Sequence, residues 1–184
     1  SGNGNDGTVN GATLTEDRFG NTGKVYNFDG ENDYIILGDQ EDFDWGTGDF
    51  TISAWINSTS SSRGEISNKG SNVANTGYNM FVEQSGVLRI EIHDRYPVYS
   101  IAVVNTGEWQ HVLGMREGDY LKLFVNGIED GSRTGVGSYD VSTSNPFYIG
   151  SRESTETFFK GQIDDVRIYN RALSEAEVAA LYNL

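Results

Sequence analysis

The sequence predicts an all-β domain: an antiparallel two-sheet sandwich that ends in one short helix. Three observations predict it. Aromatic residues reach 12% of 184, with ten Tyr, nine Phe and three Trp. Apolar residues recur at every second position in short runs, as in "FTISAWIN", which is the period of a strand with one buried face. Turn formers separate those runs: Gly occurs 23 times and Pro only 2, a pattern of many short strands.

The elements follow in chain order. Ser1 to Thr13 is rich in Gly and Asn and reads as a loop unless something ties it down. "KVYNFDG" (24–30) and "DYIILG" (33–38) read as strands around a turn at Gly30–Asn32. In 50–57, Phe50, Ile52, Ala54 and Ile56 share one face, and Thr51, Ser53, Trp55 and Asn57 the other. A Ser-rich loop over 58–62 precedes a short strand around Glu65–Ser67. Residues 78–94 form a hairpin that turns at Gln84–Gly86, with Leu88, Ile90 and Ile92 alternating with Arg89, Glu91 and His93. A second hairpin region spans 108–131, with "EGD" and then "NG" (126–127) as turns. Asn-Gly is the strongest short hairpin signal, because a type I′ turn needs φ > 0 at both central residues. "PFYIGS" (146–151) and "FKGQIDDVRIY" (159–169) supply the last strands, for about ten to thirteen in all. Only "SEAEVAALYNL" is helical: Ser174 caps it, Glu177 completes a capping box, and Val178, Leu181 and Tyr182 share a face.

Charge and composition exclude several functions. Thirteen basic against 27 acidic residues leave a net charge of −14, so a phosphate backbone is repelled and nucleic acid is not an expected partner. With no Cys, thiol catalysis and Cys-based zinc sites are out. No apolar run is long enough to insert in a membrane. The start "SGNGNDGT" reads as one domain, residues 1–184, excised from a larger secreted protein.

"NFDGENDYIIL", "FTISAWI", "EWQHVLGM", "YLKLFVNG", "PFYIGS" and "FKGQIDDVRIYNRALSEAEVAALY" occur in that order. This series resembles the bacterial laminin-G-like domains of the concanavalin A-like lectin/glucanase superfamily, over essentially the whole chain. The resemblance implies a jelly roll of one convex and one concave sheet.

The adjacent acids Asp164 and Asp165 lie inside the last strand. Neighbours on a strand face opposite ways, so either one acid points inward or the strand is bulged. Val166 and Ile168 share Asp164's parity, which sets Asp164 on an apolar face. A buried carboxylate there needs a cation, an Arg or backbone donors. The resemblance implies a structural Ca2+ held by Asp164, by Gly30 or Asp29 in "FDG", and by carbonyls near Asn5. Oxygen-only ligands of that kind suit Ca2+ better than Zn2+. The alternative is pairing of Asp164 with Arg167 or Arg171, or capping of loop N–H groups, and Asp165 is expected to face out as a surface acid.

Retaining glucanases of the superfamily carry an E-x-D-x-x-E strand. Here "EIHD" (91–94) offers Glu91 and His93 on one face without the third acid, so the domain is not expected to be an enzyme. His111 is expected to be structural, and Trp55 to be buried under a loop. Aromatic, basic and acidic groups cluster in "HDRYPVY", where Pro97 stiffens an expected loop. The candidate ligand site is therefore Arg89, Glu91, His93, Arg95, Tyr96, Tyr99 and Tyr78 on the concave face, bordered by Arg63 and Lys69. Sugars need an aromatic platform and planar polar groups, and Arg favours an acidic sugar or hydroxyl pairs. The expected function is a non-catalytic carbohydrate-binding module, stabilised by Ca2+, that recognises a polysaccharide or glycoconjugate. The rival is an adhesion or protein-interaction domain, and a hydrolase or lyase ranks below both.

Overall fold

The computed structural model describes residues 4–71, 76–92, 95–154 and 157–184. The strands in chain order are β1 (Thr8–Asn10), β2 (Thr13–Thr15), β3 (Val25–Asp29), β4 (Tyr34–Ile36), β5 (Phe50–Asn57), β6 (Gly64–Ser71) and β7 (Thr76–Val82). They continue as β8 (Val87–Ile92), β9 (Tyr96–Val103), β10 (Gln110–Glu117), β11 (Tyr120–Val125), β12 (Ile128–Thr134), β13 (Tyr148–Ile149) and β14 (Lys160–Tyr169). One seven-stranded antiparallel sheet runs β1-β4-β13-β6-β7-β8-β9, the other β12-β11-β10-β5-β14-β3-β2.

The core forms between the sheets as the alternation dictates. Phe50, Ile52, Ala54 and Ile56 of β5 meet Tyr78, Met80 and Val82 of β7 and Leu88, Ile90 and Ile92 of β8. At one end Trp45 stacks on Phe50 at 4.5 Å and on Tyr78 at 4.6 Å, and the Tyr78 hydroxyl donates to the Phe43 carbonyl. Asn126 and Gly127 take φ of 51° and 79°, as the type I′ turn requires.

Helix α1 (Glu175–Tyr182) covers the outer face of the second sheet. Leu173, Val178 and Leu181 pack on Leu113, Met115 and Phe124 in a small core of their own. Ser174 and Glu177 form the reciprocal capping box. Arg171, a candidate partner for Asp164, instead bonds the Ala172 carbonyl and the Glu177 carboxylate.

Two segments expected as loops are strands. The N-terminal stretch pairs through β1, with Thr8 opposite Ile36. The "YPVYS" stretch opens β9, paired along β8. An edge strand tolerates Pro97, since its missing N–H would face away from the sheet.

β9 and β12 end their respective sheets on the same side of the sandwich. Asp130 of β12 closes that side: its Oδ2 accepts the Ile101 and Ala102 N–H groups at 2.9 and 2.8 Å. Arg133 donates to the Pro97 carbonyl, and a Cβ on Gly131 would strike the Tyr99 carbonyl. Asp130→Ala is expected to lower stability by about 1–3 kcal/mol, because two edge amides lose their acceptor; urea unfolding followed by circular dichroism measures it.

Candidate functional site

The outer face of the first sheet carries polar side chains where a helix covers the second. By register, Glu65 of β6 lies beside Phe81 of β7, Phe81 beside Arg89 of β8, and Arg89 beside Tyr99 of β9. One row along, Asn68, Asn79, Glu91 and Pro97 are neighbours. Phe81 is fully buried although it points away from the core. The Arg63 guanidinium lies 3.7 Å from its ring centre and the Arg89 guanidinium 5.0 Å, and Arg89 also lies 5.1 Å from the Tyr99 ring. Arg89 donates to Glu83 at 2.8 Å and to Glu91. Asn79 Nδ2 donates to Glu65 Oε1 at 3.1 Å.

This face holds an unusual concentration of polar atoms that are buried yet unpaired. Both side-chain polar atoms of Asn68, the Asn79 Oδ1, the Glu65 Oε2, the Arg63 Nε and Nη2 and the Arg89 Nε have no hydrogen-bond partner among the described residues. Buried groups of this type are normally satisfied. The crevice bounded by Asn68, Asn79 and Arg152 is too narrow to admit a water molecule.

The residues expected from sequence divide. Arg89, Glu91 and Tyr99 come together on this face, with Arg63 beside them. Tyr78 does not: it is buried in the core. Tyr96 lies opposite core-facing Ile92, packs against the core and contacts the Tyr139 hydroxyl. Arg95 is exposed in the β8–β9 turn. Lys69 is buried on the core side, where its ammonium bonds Asp39 and the carbonyls of Thr143 and Asn145. His93 lies outside the described residues. Reading 95–99 as a loop hid the alternation that separates Tyr96 from Tyr99.

Glu65, Asn68, Asn79 and Phe81 were not anticipated. A bulge between Glu65 and Ser67 breaks the parity of β6, and "GEISNKGS" alternates poorly even before that. Asn79 did carry a signal, as the single polar residue between Tyr78 and Val82 in "YNMFV".

The acid pair resolves as a bulge. Asp164 pairs with Trp55 and Arg167 with Ser53, so Asp165 and Val166 both stand opposite Ala54. Asp165 takes φ of 47°, and Asp164 emerges on the outer face, against the parity expectation. Its cation is Arg18 from the β2–β3 loop, which bonds Asp164 at 2.9 Å and Asp165 at 3.0 Å. Arg18 lies 4.7 Å from the Trp55 ring and 4.5 Å from the Phe19 ring. Its side chain is 9% exposed and that of Asp164 13%. Burial raises the Asp164 carboxyl above its ordinary range, opposed by the Asp165 N–H bond and by Arg18. Trp55 is covered by this loop, as expected, and also by Tyr182 stacked at 5.7 Å.

The four residues expected to hold Ca2+ do not converge. Asp29 pairs with Lys160, four residues back along β14 from Asp164, or roughly 13 Å at strand rise. Gly30 turns away after it with φ of 82°. The Asp29 Oδ1 accepts the Glu31 and Asn32 N–H groups, and Asn5 donates to Asp42. With the Asp164 carboxylate paired to Arg18, this donor set does not fit one metal ion.

Two buried groups have strongly displaced protonation. Burial pushes the Glu65 carboxyl up to about 8, against the pull of Arg63, Arg152 and the Asn79 bond. Burial, then Arg18 and Arg167, bring His111 down to about 4. His111 sits 5.3 Å from Trp55 under Tyr182, a structural placement as expected.

Two seven-stranded antiparallel sheets with a capping C-terminal helix define a lectin-like jelly-roll sandwich. Residues 29–179 match the laminin G profile of the concanavalin A-like lectin/glucanases superfamily, and the chain belongs to that family. It is similar to the adhesion G-protein coupled receptor V1 of Danio rerio, at 26% identity over 146 residues, covering 73% of this chain and 2% of that receptor. Among solved structures it is similar to the binding domain of Paraclostridial Mosquitocidal Protein 1, with TM-score 0.77, 20% identity, 98% of this chain and 48% of that one. It also resembles the receptor binding domain of botulinum neurotoxin C/D mosaic serotype, with TM-score 0.73, 17% identity and 98% and 47% of the two chains. A SAP-like pentraxin from Limulus polyphemus gives TM-score 0.59 at 18% identity, over 73% and 69%. The chain thus spans about half of each toxin domain and a small part of the receptor.

Arg18→Met is expected to cost about 1–3 kcal/mol, because the pair with Asp164 is only partly buried and that with Asp165 is exposed. The wild-type melting midpoint is expected to stay the same with and without a chelator, since a native-state ligand would raise it; differential scanning calorimetry reads both. The pH dependence has a definite sign. The folded chain keeps the Glu65 proton between about 4.5 and 8, where the unfolded chain loses it, so this group's stabilisation falls as pH rises through that window. His111 acts oppositely: the unfolded chain binds the extra proton between about 4 and 6.5, so its stabilisation rises with pH there. Unfolding free energies at pH 6.5 and 8 should therefore differ less in Glu65→Gln than in wild type.

Proposed function

We propose that this chain is a non-catalytic recognition domain of an extracellular protein, and that the outer face of its first sheet binds a glycan. One observation carries the reading: that face presents buried amide, carboxyl and guanidinium atoms with hydrogen-bonding capacity left open, beside a half-exposed aromatic ring, Tyr99. Polyhydroxylated rings offer the matching donors, acceptors and C–H faces. Because the crevice at Asn68 is closed even to water, side chains such as Arg63 must shift to admit a hydroxyl. Relatives described as binding domains and as an adhesion receptor agree with recognition and with an extracellular setting.

Catalysis is not part of the reading. Glu65 and Glu91 sit on β6 and β8 with Asn79 of β7 between them, not on alternate positions of one strand as in retaining glucanases.

A second reading has one observation in its favour. Ile101 of β9 is 86% exposed, flanked by Tyr99 and Val103, an apolar rim suited to a protein partner. Affinity electrophoresis over a panel of polysaccharides separates the two. Glycan recognition predicts retention that Tyr99→Ala and Asn79→Ala each weaken about tenfold, the scale of one lost ring contact or buried hydrogen bond, while Ile101→Ser leaves it unchanged. No retention on any polysaccharide by a folded wild-type domain would sink it.

A further inference from the structure

Resting on that reading, we infer that the glycan is anionic, bearing carboxylates as uronic-acid residues do, and that Arg63 and Arg89 recognise it. The two guanidiniums converge on one buried ring, Phe81, at 3.7 and 5.0 Å from its centre. Two like charges drawn to one ring are unfavourable unless anions balance them. Arg89 has such anions in Glu83 and Glu91. Among the described residues the carboxylate paired with Arg63 is that of Glu65, whose nearest oxygen lies at 3.6 Å, outside hydrogen-bond reach. That carboxyl holds its proton to about pH 8, so at neutral pH it supplies little opposing charge.

The donors make the case specific. Arg63 Nε and Nη2 and Arg89 Nε are buried and unpartnered among the described residues, while the Arg63 side chain remains 26% exposed. A guanidinium held over a ring with its Nε and Nη2 donors unbonded offers the fork that a planar carboxylate fills with two parallel bonds. The chain as a whole carries −14, so a guanidinium without a hydrogen-bonded anion stands out against it. A neutral hydroxyl would satisfy one donor; a carboxylate satisfies the fork and the charge together.

The test uses the whole 184-residue domain at pH 7 and about 0.15 M salt, where a Debye length of about 8 Å screens the distant acids. Isothermal titration compares polygalacturonate, a sulfated galactan and a neutral galactan. The expected result is binding to polygalacturonate at least tenfold tighter than to the other two. Arg63→Met should remove that preference. Arg63→Lys, which keeps the charge and loses the fork, should restore only part of it, and this milder variant also controls for misfolding. Equal affinity for the neutral polymer, or tighter binding of the sulfated one, overturns the carboxylate inference while glycan recognition stands. Silence toward every glycan overturns both.

Discussion

The bulge opposite Ala54 is the constraint on which the second sheet depends. β14 must send Ile163, Val166 and Ile168 toward the core, yet Ile163 and Val166 are three residues apart and would face opposite ways on a regular strand. One extra residue repairs the phase, and Asp165 absorbs it in a left-handed conformation that Asp tolerates better than most. The repair pushes two carboxylates onto the outer face side by side, where they need a cation. Arg18 supplies it, stacks on Trp55, and Trp55 stacks on Tyr182. An early loop, the last long strand and the terminal helix are thereby joined through a single guanidinium.

The two outer faces of the sandwich are finished by opposite means. On the second sheet, Leu113, Met115 and Phe124 lie under the helix in a second apolar core, so that face is closed by hydrophobic burial. On the first sheet the buried ring of Phe81 is roofed by arginines, and the side-chain polar atoms of Asn68, Asn79 and Glu65 remain only partly paired. A half-satisfied polar layer is costly in a structure that needs only stability. Its cost is reasonable where the layer waits for a partner.

Much of this was legible in the sequence. Strict alternation gave β5 and β8 their core faces, Asn126–Gly127 fixed a hairpin, and Ser174 with Glu177 marked the helix start. The terminal motif identified the fold. Several misreadings share one cause: the period-two rule fails wherever a strand is bulged or has the composition of a loop. The acid pair announces either an inward acid or a bulge, and the parity of Val166 and Ile168 favours the wrong one; the bulge in β6 hides Glu65 and Asn68, and a loop-like composition over β9 groups Tyr96 with Tyr99. Arg18 could not be found at all, since nothing local in "EDRFGN" says that its partner lies 146 residues away. Charge pairs across that span are set by topology, which local patterns do not encode.

Asp130, lodged across the backbone of β9, bears on how such a domain lives beside copies of itself. Modules strung along one chain face each other at millimolar effective concentration, and an open sheet edge would then template strand exchange between neighbours. A carboxylate that occupies the Ile101 and Ala102 amides, backed by an arginine on the Pro97 carbonyl, blocks these edge positions to a foreign strand. At this edge of the sandwich, strand exchange between neighbouring copies is therefore disfavoured.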